Sequence, residues 1–296
     1  MQAIAVCQRL LSLSQEESLV GTVHSVFDHA VNLELGQNGL IGLIAENKAL
    51  TPFAMLVRTN APFARTGVRP GMAAYLKHGM VSIPEANISL ELVTAKPVDL
   101  SVYSIALDNV AQARTILTDR IADFLRDSDT ECSLAPLATG GEGNVYTRFL
   151  APRVRHLFAM VSAEDWDKAA QAAADCASCG MGLTPSSDDL LSGCFLTLHL
   201  LYRAANQPEA SAHIGAMAQA AAKKTNRISA TFLLQSGQAL ANSALLALFE
   251  TAFSAQDDQT IRSAVRRVGE IGSTSGIDML TGIMLSLRQH IGGGKS

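Results

Sequence analysis

One order of residues occurs twice in this chain and constrains its fold more than any other feature. Ser186-Ser187-Asp188-Asp189-Leu190-Leu191-Ser192-Gly193 and Ser275-Gly276-Ile277-Asp278-Met279-Leu280-Thr281-Gly282 both run serine, two spacers, aspartate, apolar, leucine, hydroxyl, glycine. The match continues with Leu196 and Leu198 against Leu285 and Leu287. Serine three residues before aspartate is the spacing of a capping box, in which the serine oxygen accepts from the third helical N–H and the acid reaches back to the serine N–H. Two helices that start alike, with Gly193 and Gly282 at equivalent places for close approach, predict a pseudo-twofold helical core. If the two starts converge, their free N–H groups and positive dipole ends form a pocket for a small anion, a carboxylate or a phosphate. Capping alone is weakly specific, because Ser162-Ala163-Glu164-Asp165 matches it too. The duplication, glycines included, carries the argument.

The first copy follows Gly180-Met181-Gly182-Leu183-Thr184-Pro185, where two glycines permit unusual backbone angles and proline presets a helical φ. This reads as a tight loop opening a buried helix. The second copy follows Thr274. Candidate binding residues are therefore Gly180, Gly182, Thr184, Ser186, Ser187, Asp188, Asp189, Thr274, Ser275, Gly276 and Asp278. Asp189 and Asp278 repeat and are accounted for by capping. Asp188 is then an uncommitted carboxylate beside an anion pocket, able to orient an amide or ammonium group or to act as a base; the plain alternative is a solvated first-turn acid. Residues 223–229 (Lys-Lys-Thr-Asn-Arg-Ile-Ser) are the densest basic stretch, either an anion clamp or a solvated helix face. His24 and Asn32, in the N-terminal third, are further ligand-facing candidates at a domain interface.

The 296-residue chain has a net charge of -4, which argues against nucleic acid or an anionic membrane surface as the main partner. Hydrophobic residues make up 48% and charged ones only 17%, so the chain folds around a large core and keeps apolar surface to hide in an oligomer or against a partner subunit. Five cysteines, an odd number, and no leader pattern over residues 1–13 point to free thiols in the cytoplasm. Cys176 and Cys179 form a lone C-x-x-C with no second pair to complete a zinc site, so they read as small thiols on a helical face. No metal or cofactor is expected, and no apolar run has the length or purity of a membrane span. Residues 292–296 (Gly-Gly-Gly-Lys-Ser) imitate the end of a P-loop, but the first glycine that motif needs is Gln289.

Along the chain the apolar period changes near Pro97. Residues 31–35 alternate cleanly, residues 36–39 supply a turn and 40–45 resume, which is a hairpin. With strands near 21–27, 53–59, 71–77, 79–83 and 88–93, residues 1–100 read as a small β-barrel or sandwich. Residues 101–296 read as an α domain, the whole being α+β. Its first helix has Val110, Ala113, Leu117, Ile121 and Leu125 on one face, with Asp108 as cap. A polar, glycine-rich loop spans 127–144, and helices follow near 152–161, 163–177, 187–205, 209–238, 243–253, 258–271 and 276–290.

The stretch 180–193, with Gly-Leu-Thr-Pro-Ser-x-Asp-Asp-x-Leu-x-Gly at its centre, and the stretch 274–282 together resemble the AllH-type family, a domain tied to oxamate carbamoyltransferase. Val23-His24-Ser25-Val26-Phe27 and Val31-Asn32-Leu33 are similar to that family's opening. The family commonly has glycine where this chain has Ser187 and an aromatic where it has Ile277, departures that bear on pocket shape. The resemblance implies a subunit that works with two others in anaerobic allantoin breakdown, converting oxalurate and phosphate to oxamate and carbamoyl phosphate. The alternative is a non-catalytic anion-binding or scaffolding subunit whose motifs only pack helices together.

Overall fold

The computed structural model describes residues 1–36, 39–128, 131–254 and 257–289. Two compact units divide after Leu100. The first runs β1 (Gln2–Cys7), α1 (Gln8–Glu16), β2 (Leu19–Val26), β3 (Ala30–Leu35), β4 (Leu40–Ala45), β5 (Ala54–Arg58), β6 (Ala73–Lys77), β7 (Met80–Ile83), β8 (Ile88–Glu91) and β9 (Lys96–Val98). Val31, Leu33 and Leu35 are buried and their neighbours only partly so, the period of two that fixes which face of β3 meets the core. Each such side chain contributes about 1.5 to 3 kcal/mol by leaving water. β3 pairs antiparallel with β2 and β4, as the hairpin predicts, while Gln37 and Asn38 of the turn lie outside the described residues.

The nine strands form one sheet in the order β8-β7-β6-β2-β3-β4-β5-β1-β9. They are not two packed layers, so the sandwich alternative falls. β1 nevertheless touches β8 from the far side of the order, so the sheet curls into a half-barrel. Three of its unit's elements escape the sequence reading. Residues 1–16 pass from β1 into α1 with no glycine or proline between them, and the three residues of β9 are too short to show a period.

The second unit contains α2 (Val110–Arg126), α3 (Pro136–Thr139), α4 (Val145–Ser162), α5 (Trp166–Cys176), α6 (Ser186–Ala204), α7 (Ala210–Ala222), α8 (Arg227–Gly237), α9 (Ser243–Phe253), α10 (Asp258–Gly269) and α11 (Ser275–Leu287). Every residue of α6 from Ser186 to Tyr202 is buried, which makes it the central helix, since a helix covered on all sides belongs to a core. α11 packs along one side of it, and Leu191, Phe195 and Tyr202 share a second cluster with Leu157 and Phe158 of α4 and Met217 of α7. The first residues of the unit are tied to the far end of α6. Arg203 donates to the carbonyls of Val102, Tyr103 and Ile105, and the Tyr103 hydroxyl meets His199 Nδ1 at 2.9 Å.

Four local expectations need correction. Asn109, not Asp108, precedes α2, and its side chain makes no cap bond. The third capping pattern is not used: Ser162 ends α4, and Asp165 caps α5 by accepting from the Lys168 N–H. The helix expected over 209–238 breaks into α7 and α8 because Asn226 accepts from the N–H groups of Ile228 and Ser229, the capping bond an asparagine prefers to a helix interior. The expected loop 127–144, of which 129 and 130 lie outside the described residues, contains α3, and Ser133, Leu134 and Ala135 are buried.

Candidate functional site

The repeated residues meet across a twofold relation. A Cβ on Gly193 would run into the Met279 carbonyl of α11, and a Cβ on Gly282 into the Leu190 carbonyl of α6. The last residue of each copy therefore seats against the apolar position just after the aspartate of the other, and Cys194 Sγ donates to the Gly282 carbonyl at 3.4 Å across the same contact. The starts obey the same exchange. The Ser186 hydroxyl lies against the Asp278 carboxyl and the Ser275 hydroxyl against that of Asp189, each favouring the ionised acid. Thr274 acts likewise on Asp278 and Thr184 on Asp189, and the Thr184 and Ser275 hydroxyls lie 3.1 Å apart. The two helices thus run in the same sense with their starts together.

This geometry overturns the capping-box reading while keeping the residues it singled out. Pro185 and Thr274 precede the first turns, neither makes a side-chain cap bond, and Ser186 and Ser275 are the first helical residues. Each serine hydroxyl faces the aspartate of the other helix instead of its own. Gly276 is needed for packing, since a Cβ there would enter the Val268 carbonyl of α10.

The loop before α6 is closed at its base. Cys179 N–H donates to Ser187 Oγ at 2.8 Å, and Ser187 N–H donates to the Cys179 carbonyl at 2.9 Å. Gly180, at φ +122°, lies so close to Ser186 that a Cβ would sit 2.5 Å from its nitrogen, so both backbone angle and space demand glycine. Gly182, at φ +100°, lies near the tip, where Met181 is 80% exposed and Leu183 54%.

Asp188 is not the uncommitted acid expected. It is buried, and it accepts from Ser178 N–H at 2.7 Å, Thr225 Oγ1 at 2.5 Å, Ser229 Oγ at 2.7 Å and Ser187 Oγ at 3.4 Å. Sequence reasoning missed Thr225 and Ser229 as its partners; their signal was a pair of hydroxyls four apart flanking the Asn226 cap. Of the basic stretch, it is these hydroxyls that face the motif, whereas Lys223, Lys224 and Arg227 are exposed.

Asp189 and Asp278 occupy a different environment. Both are buried, and Oδ2 of each has no hydrogen-bond partner. Burial raises the Asp189 carboxyl well above the usual carboxylate range, against the opposing hydroxyls of Ser275 and Thr184 and with help from the charges of Asp278 and Asp188. Burial likewise pushes Asp278 up to about 7, although Leu134 N–H donates to its Oδ1 at 2.7 Å and the Ser186 and Thr274 hydroxyls nearby act to lower it. In the two first turns, the N–H groups of Ser187, Asp188, Asp189, Gly276 and Asp278 donate within the chain. Those of Ser186, Ser275 and Ile277 meet no acceptor among the described residues.

Two further candidates, His24 and Asn32, belong to the β unit, where His24 Nδ1 lies 3.1 Å from Ser25 Oγ and Asn32 Nδ2 donates to the same oxygen at 2.9 Å. A bulge in β2 between Val23 and Ser25 brings the three together. Cys176 is buried, and burial pushes its thiol up to about 12, which suits an inert core thiol better than a ligand. A cavity of about 360 Å³ beside α4, lined by Val154, Arg155, Phe158, Leu285 and Gln289 among others, includes no residue of either repeated order. Among the described residues no cluster of three or more His, Cys, Asp or Glu can hold a metal ion, and no helix is long and apolar enough to cross a membrane.

Comparison with known proteins adds a family to this geometry. The model for oxamate carbamoyltransferase subunit AllH matches residues 176–287, a span that takes in both repeated orders and the Thr225 and Ser229 hydroxyls that meet Asp188. The model for the AllH family N-terminal domain matches residues 2–97, nearly the whole curled sheet. No curated protein and no solved structure matched the chain. The two matches fall one in each unit, with residues 98–175 between them, and the chain belongs to the AllH family of oxamate carbamoyltransferase subunits.

Proposed function

We propose that this chain is the component of a cytoplasmic oxamate carbamoyltransferase that holds a small carboxylate or phosphate at the joined starts of α6 and α11. The reaction is the conversion of oxalurate and phosphate to oxamate and carbamoyl phosphate in anaerobic allantoin breakdown, carried out with other subunits. A phosphate oxygen bonds to the carbamoyl carbon, the bond from that carbon to the oxamate nitrogen breaks, and the nitrogen takes up a proton. Every species in it except the proton carries a carboxylate or a phosphate. The observation that carries the reading is the convergence of two helix starts, with the N–H groups of Ser186, Ser275 and Ile277 unclaimed and the hydroxyls of Thr184, Ser186 and Ser275 beside them. Backbone N–H groups and aligned peptide dipoles at such a place favour negative charge in ligand and transition state alike.

A second reading is a scaffolding subunit, and one observation favours it: Asp188 is fully engaged in tying α6 to its loop and to α8. Calorimetric titration with oxamate, oxalurate, phosphate and carbamoyl phosphate, with and without the partner subunits, separates the two. Saturable binding that weakens in Ser275→Ala supports the anion site. Silence toward all four ligands in both conditions leaves the scaffold.

A further inference from the structure

Three aspartates gather at helix starts read above as an anion site, and their charges would oppose an anion. We infer that Asp189 and Asp278 are held as neutral carboxylic acids, positioning residues that keep the joined starts free of negative charge, so that an anion binds there only while they retain their protons. The inference rests on the anion-site reading for its second half and on the fold alone for its first.

The geometry disfavours charge on these two carboxyls. Asp189 is 2% exposed and Asp278 fully buried, and Oδ2 of each has no partner. An ionised carboxylate in that position loses its water, and its second oxygen gains no compensating bond. Asp189 is faced by Asp188 on its own helix, by Asp278 on α11 and by the Thr184 and Ser275 hydroxyls. Asp278 is faced by the Leu134 N–H and the Ser186 and Thr274 hydroxyls. Among the described residues no cation stands beside these groups. Arg227 on α8 and Arg266 and Arg267 on α10 are exposed, and Arg114 of α2 bonds the Leu287 and Gln289 carbonyls at the other end of α11. The Cys194 thiol between the helices is held up to about 12 and stays neutral.

Asp188 supplies the contrast within the same turn, since four donors converge on it. The raised values of Asp189 and Asp278 agree with this division. An anion placed at the starts adds another negative charge, so anion binding and proton retention favour each other, and by reciprocity affinity falls as the protons leave.

Both carboxyls have folded-state values above the ordinary aspartate value. Their stabilisation is therefore complete below the unfolded value and is lost as pH rises through the folded ones, about 7 for Asp278 and a raised value for Asp189. Urea unfolding of the ligand-free full chain from pH 5 to 8.5 should show stability falling with pH. Asp278→Asn, which keeps the acceptor for Leu134 N–H and places a neutral NH₂ at the orphan oxygen, should flatten that fall and exceed the wild type at pH 8. A flat wild-type profile, or an Asn variant weakened equally at every pH, overturns the inference.

If the Asn variant does not fold, the carboxyl carbon shifts of the wild type, followed by NMR, decide the matter: two aspartates titrating far above the rest support it, and none overturns it. For the second half, oxamate is the probe, because its carboxylate stays ionised throughout. Its affinity should drop by up to about tenfold per pH unit above 7, and in Asp278→Asn that drop should shrink. Sloping stability with no oxamate binding at any pH supports the neutral pair and overturns the anion site. Oxamate binding with a flat stability profile keeps the site and overturns the pair.

Discussion

The starts of α6 and α11 share one order of residues and are anchored in different ways. What they share is what the crossing uses: the serine and aspartate that face each other across the pair and the glycine that admits the other helix's carbonyl. What differs is the attachment to the rest of the unit. In α6 the residue before the shared aspartate is Asp188, which gathers the loop at Ser178 and the hydroxyls of Thr225 and Ser229. In α11 the same place holds Ile277, and the start is fixed through Asp278 and the Leu134 N–H instead. The difference teaches that twofold contact and site chemistry are carried by separate residues. The contact is symmetric, whereas the loop, Asp188 and the Thr225 and Ser229 hydroxyls belong to the α6 side.

The contact should break with the largest effect. Gly193→Ala and Gly282→Ala each press a methyl against a backbone carbonyl that cannot rotate away, and each should cost about 3 kcal/mol or more in urea unfolding. Similar losses at the two positions are what the twofold relation requires. A loss below about 1 kcal/mol at either one contradicts the close approach there. Next comes the one-sided anchor. Asp188→Ala leaves the Ser178 N–H and the buried Ser229 hydroxyl without their acceptor and should cost about 2 kcal/mol in urea unfolding. Gly180→Ala forces a side chain into a left-handed backbone beside Ser186 and should cost about 1 to 2 kcal/mol, read as a drop in melting temperature.

How far the sequence reveals this depends on where a residue's partner lies. Val31, Leu33 and Leu35 announce their strand because alternation is local. Gly193 and Gly282 announce the helix crossing because the repeat places them alike. Ser186 and Asp189 mislead for a physical reason: serine and aspartate three apart suit a local cap and an exchange between two parallel starts equally well, and only the backbone path decides. Asp188 misleads because its partners Thr225 and Ser229 are remote in sequence and belong to a helix break hidden in an alanine-rich run. The strand-to-helix passage at 1–16 stays silent because nothing punctuates it.

The smallest expected effect sharpens the comparison most. At the tip of the loop before α6, Met181 is 80% exposed, while in the approach to α11 the one large apolar residue, Ile271, is half-buried and the exposed positions are Glu270, Gly272 and Ser273. The loop's course does not depend on that side chain. The paired bonds of Cys179 and Ser187 close its base, and Asn226 Nδ2 holds the Leu183 carbonyl at 2.9 Å. Met181→Ser should therefore change unfolding free energy by less than about 0.5 kcal/mol, the range of a surface substitution. An apolar side chain held out on a braced loop above one start only is suited to meeting a partner subunit or covering a bound ligand. Turnover of the complex reconstituted with its partner subunits should then fall at least several-fold in the serine variant while melting of the isolated chain stays put. Unchanged turnover would confine the asymmetry to Asp188 and its hydroxyls. A melting temperature lowered by several degrees would mean that Met181 packs into the fold, and that the two starts differ in stability where they were expected to differ in function.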